Sequence, residues 1–337
     1  MSEDLLAAER EERRREREER RRKRSGEAPR PSAPADREPP PPPPSSAVSR
    51  PKPPRPNRRR LGVVAGLAIV LLGIAAIAAL AYRHFHRETP PPVVIRTITV
   101  TVPEGYTRAQ TAEVAEREGL RGSYEQASVR SKYLNPAKYG GRDAKNLEGF
   151  LFPDTFELEK HASAANLVQL QLEDFKRRIA GVDMRYARSK NLTTYDVLTI
   201  ASMVEDEAAI ESQRKLVAAV IYNRLREGMP LGIDATTRFA TGNYTEPLTE
   251  SELAIDSPYN TRTNAGLPPG PINSPGLASI EAAAHPAKVD YLFYVVEPGA
   301  CNKLAFSMTE AEFNADVERY NSAREAAGGN SPDSCGE

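Results

Sequence analysis

The chain has 337 residues, 39% of them hydrophobic and 27% charged, which is enough to bury one or two ordinary cores. Forty-six Lys plus Arg balance forty-six Asp plus Glu, so no global charge argument favours nucleic acid as a partner. Two cysteines and four histidines exclude a disulfide-rich mini-protein or a Cys-rich zinc module, and neither a metal nor any other cofactor is expected.

The balance hides an uneven chain. Residues 1–60 hold 18 basic and 11 acidic side chains, while the remaining 277 hold 28 basic and 35 acidic ones. Glu9 to Arg24 mixes Glu and Arg with almost no apolar residue, so a helix there has charge pairs and no face to bury. Pro31 to Pro56 carries 12 prolines in 26 residues and reads as an extended polyproline spacer. Leu61 to Ala81 is a run of 21 uncharged residues, about 30 Å as a helix, which matches the apolar thickness of a bilayer. Arg58, Arg59 and Arg60 stand before it, so the positive-inside rule keeps the N-terminus cytoplasmic and places the rest outside. In that oxidising setting Cys301 and Cys335 are candidates for a disulfide; Cys335 could equally stay free.

Beyond the apolar run, Val93–Val102 alternates β-branched residues as a strand does, and Thr107 caps a helix to about Arg117. Asn146–Phe156 is aromatic and turn-rich. Helices are predicted at Ala164–Ile179, about Thr194–Ile210, Glu211–Glu227, Ser279–Ala284 and Thr309–Ala323, with a strand at Tyr291–Val296. Asn260–Gly276 is rich in Pro and Gly and must be loop. Helices and strands mix without regular βαβ alternation, so the fold class is α+β. The divisions drawn are a tail (1–60), a membrane helix (61–81), a small subdomain (93–145), a main domain (146–323) and a C-terminal tail (324–337).

On the helix that carries Glu205-Asp206-Glu207, about 100° per residue places Glu205 inside the apolar arc of Val197, Ala201, Leu198 and Ala208. Asp206 falls on the opposite face and Glu207 on the flank, as ordinary solvated charges would. A carboxyl on an apolar face has a raised pKa, which suits a general acid. It could instead be half of a buried ion pair, with Arg224 of the next helix as partner; Asp154, Asp234 and Glu148 are other acids available to Arg224. Tyr259, Asn260 and Thr261 could line a sugar cleft or belong to a proline-stiffened surface loop.

Glu148-Gly-Phe-Leu-Phe-Pro-Asp-Thr155, Ala201-Ser-Met-Val-Glu-Asp-Glu207, Tyr222-Asn-Arg-Leu-Arg-Glu-Gly-Met-Pro-Leu231, Asp256-Ser-Pro-Tyr-Asn-Thr261, Gly266-Leu-Pro-Pro-Gly-Pro-Ile272, Tyr291-Leu-Phe-Tyr-Val295 and Phe306-Ser307 follow one another in order. This series, spread over about residues 95–320, resembles the endolytic murein transglycosylase (YceG-like) family. The resemblance implies a membrane-anchored enzyme that cuts peptidoglycan glycan strands internally. The bond would be the β-1,4 link from N-acetylmuramic acid to N-acetylglucosamine, and a 1,6-anhydro end would remain. It implies Glu205 as the catalytic acid, and Asn223, Arg224, Asp234, Tyr259, Asn260, Glu148 and Asp154 as substrate contacts or as residues orienting them. Implied partners are the glycan strands, the bilayer through residues 61–81, and peptidoglycan synthases or division proteins at the tail. Gly232, Ala235 and Leu304 stand where the family commonly has Gln, Pro and His, and the LysM-like subdomain looks shortened to Ile98–Leu120. The runner-up reading is a non-catalytic glycan-binding or division scaffold of the same fold. A true muramidase, with Asp234 or Glu148 as second carboxylate, is a third.

Overall fold

A computed structural model describes residues 58–85 and 96–332, with side chains from residue 66. The Arg/Glu-rich and Pro-rich segments lie outside the described residues, as does Cys335. The chain separates into two compact units, residues 1–90 and 91–337.

In the first unit α1 (Arg58–Phe85) carries the apolar run, seven residues longer than the uncharged stretch predicted it. Its stretch Gly66–Phe85 is long and apolar enough to cross a membrane, and its Leu, Ile and Val side chains are exposed. An isolated helix exposing such a surface to water gains nothing from folding, which is the physical case for an apolar surrounding.

The second unit is α+β, as the element pattern predicts. A two-stranded antiparallel sheet joins β1 (Thr97–Thr101) to β2 (Thr155–Glu159), with Val100 opposite Phe156 and Ile98 opposite Leu158. Between them lie α2 (Arg108–Arg117), capped at Thr107 by a reciprocal box with Gln110, and the single turn α3 (Tyr124–Ala127). Strand β2 is missed by the sequence reading, because Pro153 and Asp154 mark a turn and hide the alternation that follows.

The core is helical. Helix α4 (Ala164–Ile179) has the predicted bounds and buries Leu167, Val168, Leu172 and Phe175. A short α5 (Arg185–Ser189) follows. Helix α6 (Thr194–Glu207) starts at a capping box between Thr193 and Asp196, and Val197 through Val204 are all buried. Phe150 ties these elements together: it lies edge-on to Phe175 at 5.3 Å and stacks on Tyr195 at 5.6 Å. After a 3₁₀ turn, α7 (Arg214–Glu227) runs to Gly228, whose left-handed backbone (φ 67°) stops it.

Helices α8 (Asp234–Thr241) and α9 (Glu250–Leu253) are not predicted, being short and, in α8, rich in Thr, a weak helix former. Helix α10 (Leu277–Ala284) packs along α6 and α7. A hairpin of β3 (Phe293–Val296) and β4 (Leu304–Ser307) then leads to α11 (Glu310–Ala326). In the hairpin turn Cys301 and Asn302 both have positive φ.

Candidate active site

The site is built where three chain segments meet the last turn of α6. The Pro- and Gly-rich segment predicted as loop is clipped onto that turn through Ser202. Ile272 N–H donates to Ser202 Oγ at 3.0 Å, and Asn273 Nδ2 donates to the Ser202 carbonyl at 2.9 Å. The clip delivers Gly276, the N-cap of α10, to Glu205, whose Oε2 accepts the Gly276 N–H at 2.9 Å. Arg214, the first residue of α7, closes the other side with Nη2 3.0 Å from Glu205 Oε1. Each carboxyl oxygen of Glu205 thus has its own donor, one charged and one from the backbone. The Glu205 side chain is 7% exposed and that of Arg214 15%.

The apolar arc predicted for Glu205 is real in its neighbours, since Ala201, Leu198 and Ala208 are buried. The ion-pair partner, however, is Arg214 and not Arg224. A wheel for one helix cannot show a side chain that arrives from the start of the next.

The turn after β1 forms the third wall. Gly105 (φ 77°) lets it bend, and its N–H donates to the Ser274 carbonyl at 3.0 Å. A Cβ there would lie 3.5 Å from Glu205 Cγ and 3.6 Å from Asp206 Oδ1, so the turn touches both acids. Glu104 lies across Gly276, where even a methyl group would collide with its carboxylate. That carboxylate is 4.0 Å from Arg214 and 49% exposed. Desolvation and then the charge of Glu205 raise the Glu104 pKa.

Asp206 and Glu207 are not the plain solvated charges that the wheel suggests. Asp206 reaches solvent, yet the protein packed around it, followed by the charges of Glu207 and Glu205, pushes its carboxyl up to about 7. Glu207 accepts the Tyr294 hydroxyl at 3.0 Å, and burial, followed by the charge of Asp234, pushes it up to about 7. Two carboxyls, Asp206 and Glu207, are therefore raised to near neutrality next to Glu205 in the chain.

Asn223 donates to the carbonyls of Val289 and Tyr291, both at 2.9 Å, and accepts from Arg226. Arg224 donates to the carbonyls of Leu292 and Leu231, both at 2.6 Å, and lies over the Phe293 ring. Burial lowers the pKa of Arg224, and Tyr294 and Glu207 work against that. Asn260 is fully buried and holds the carbonyls of Leu253 and Ile255. These three side chains brace loops. Asp234 is paired with Arg262 beside Glu207, and Asp154 pairs with Arg178 at 2.8 Å.

Glu148 is buried, and both of its oxygens accept Arg108 N–H at 3.1 Å, at the open end of α2. Burial pushes its carboxyl up to about 7. Half-buried Tyr259 packs on Phe239 at 4.9 Å and feels the Glu148 charge. Exposed Tyr244, not anticipated from the sequence, lies within electrostatic reach of both Glu148 and Asp206. Leu304 is buried in β4, with its backbone held by Gln213 through two 2.9 Å hydrogen bonds. Gly232 has φ 64° and gives its N–H to the Thr261 carbonyl. Among the described residues no group of three or more His, Cys, Asp or Glu is placed to hold a metal ion.

The unit is α+β and presents a clamped carboxyl at the end of a buried helix, and its overall fold is similar to that of a solved protein. A yceG-like protein of Listeria monocytogenes superposes with a TM-score of 0.56 at 30% identity, over 66% of this chain and 76% of that one. The endolytic murein transglycosylase of Bacillus subtilis is 35% identical over 179 residues, 53% of this chain and 49% of the relative. That of Streptococcus pneumoniae strain R6 is 33% identical over 228 residues, 59% of this chain and 40% of the relative. The chain thus spans half or less of the length of these curated relatives. The YceG-like family profile matches residues 77–319, and the chain belongs to the YceG-like family.

Proposed function

We propose that the protein is a membrane-anchored endolytic murein transglycosylase with Glu205 as its single catalytic acid and base. The observation that carries this reading is the clamp: Glu205, at the end of a buried helix and only 7% exposed, is fixed by a guanidinium on one oxygen and a backbone N–H on the other. The names of the aligned relatives point the same way.

One such carboxyl suffices for a lytic reaction. Glu205 gives its proton to the leaving glycosidic oxygen as the C1–O bond of the muramic residue breaks. Arg214 and the Gly276 N–H then hold the carboxylate that forms. The C6 hydroxyl of the same sugar attacks C1, closes the 1,6-anhydro ring and returns its proton to Glu205. No water enters, and the atoms balance. Hydrolysis would need a second carboxylate to activate water or to attack the sugar. The two acids considered for that role from sequence are engaged elsewhere, Asp234 with Arg262 and Glu148 with the end of α2.

In this reading α1 is the anchor, with the N-terminal tail in the cytoplasm and residues 96–332 outside, where cutting ends the growth of nascent strands. Residues 93–145 serve as a shortened LysM-like subdomain, and Cys301 and Cys335 pair. The tail contacts synthases or division proteins. The test is product analysis: purified full-length protein is incubated with uncrosslinked glycan strands and the fragments are read by mass spectrometry. Anhydro-ended fragments are expected. Reducing ends would point to a hydrolase, with Asp206 or Glu104 as second acid. Binding without cleavage would make the protein a glycan-binding scaffold.

A further inference from the structure

A second groove lies behind Arg214. It has a volume of about 640 Å³ and is bounded on one side by Glu211, Ser212, Arg214 and Lys215 and on the other by Ala278 and Glu281 of α10. Arg214 belongs to both places, since its guanidinium also grips Glu205. Its Nε is buried and finds no hydrogen-bond partner, so the guanidinium is one acceptor short.

The remaining charges of the groove have no ion-pair partner: Glu211, Lys215 and Glu281 are exposed, and among the described residues none of them forms an ion pair. Free charges of both signs around a cavity suit a ligand that itself carries both, because each charge then meets its opposite and none is left desolvated alone. A neutral sugar would leave all three unanswered.

We infer that this groove binds the peptide stem of the murein strand, a short peptide with free carboxylates and a free ammonium group. Lys215 takes a stem carboxylate, and Glu211 and Glu281 take the amine. The inference rests on Glu205 being the site of cleavage: Arg214 links the groove to that carboxyl, so a muramic residue at Glu205 has its stem within reach. Stem occupancy also firms the hold of Arg214 on Glu205, so stem-bearing strands are cut faster than bare ones.

The test uses the full chain in detergent and three substrates: stem-bearing strands, the same strands with stem amines acetylated, and stem-free strands. Three exposed charge pairs together favour the stem-bearing strand about tenfold in kcat/KM. Glu281→Gln lowers the stem-bearing rate and shrinks the difference made by amine acetylation by about twofold, whereas Lys215→Met brings the ratio of stem-bearing to stem-free rates down by about twofold. Equal rates on all three substrates, or variants that lower every rate alike, would overturn the inference. In parallel, a free tetrapeptide stem is titrated by NMR against the wild type. Shifts confined to the Ala278–Ala282 turn and the 211–215 segment are expected, and their absence overturns the groove as a stem site. This binding arm does not depend on cleavage: a protein that binds the stem and cuts nothing contradicts the transglycosylase reading while upholding the groove.

Discussion

Glu205 and Glu207 stand two residues apart at the end of one helix, and their surroundings are opposite. Glu205 faces the turn after β1 and is held by Arg214 and a backbone N–H. Glu207 is turned toward the β3–β4 hairpin, where it accepts one phenolic hydroxyl and is raised to about 7 by burial. The same residue type is thus held by an arginine and a backbone N–H in one place and by a single phenolic hydroxyl in the other. What separates them is which segments pack against the final turn of α6.

The comparison can be broken at several points. Removing the acid itself has the largest effect. Glu205→Gln keeps the shape and still accepts the Gly276 N–H, so the protein should fold while cleavage falls about 10³-fold, as general acid loss does. Cutting the clamp is next: Arg214→Ala should cost about 10- to 100-fold in kcat, the worth of one charge-assisted hydrogen bond, with Arg214→Lys recovering part. Steady-state rates on uncrosslinked strands check both. On the other side of the helix, Arg224→Ala strands the carbonyls of Leu292 and Leu231. It should lower stability by about 3 kcal/mol in urea unfolding, with the rate per folded molecule little changed.

Glu148 sharpens the contrast through pH. Its folded pKa, about 7, lies above the ordinary 4.5, so the folded state binds the proton more tightly than the unfolded one. That contribution is complete below about pH 4.5 and is lost as pH rises through 7; Glu207, raised to about 7 as well, acts with the same sign. Glu148→Gln should flatten the fall in Tm between these limits and be more stable than wild type at pH 8 by about 2 kcal/mol.

Much of the helical frame is legible in the sequence because it is written locally. The apolar face of α4 and the caps at Thr107, Thr193 and Thr309 lie within a few residues of the helices they define. Strands β2 and β4 were not: the turn signal of Pro153 and Asp154 precedes β2, and β4 (Leu304–Ser307) lacks the run of β-branched or aromatic residues that marks β1 and β3. Glu205 was legible as an acid on an apolar arc. The clamp around it was not: Arg214 comes from the next helix, and the other donor is a backbone N–H, which no residue type announces. For the same reason the wheel missed Glu207, whose burial depends on Tyr294, 87 positions away.

The most direct test compares Glu205→Gln and Glu207→Gln side by side on the same glycan strands, counting anhydro-ended fragments by mass spectrometry at matched folded concentrations. Loss of those ends in Glu205→Gln, with Glu207→Gln within about threefold of wild type, is the predicted result. Anhydro ends produced at wild-type rate by Glu205→Gln, or abolished equally in both variants, would contradict the assignment of the reaction to the clamped carboxyl.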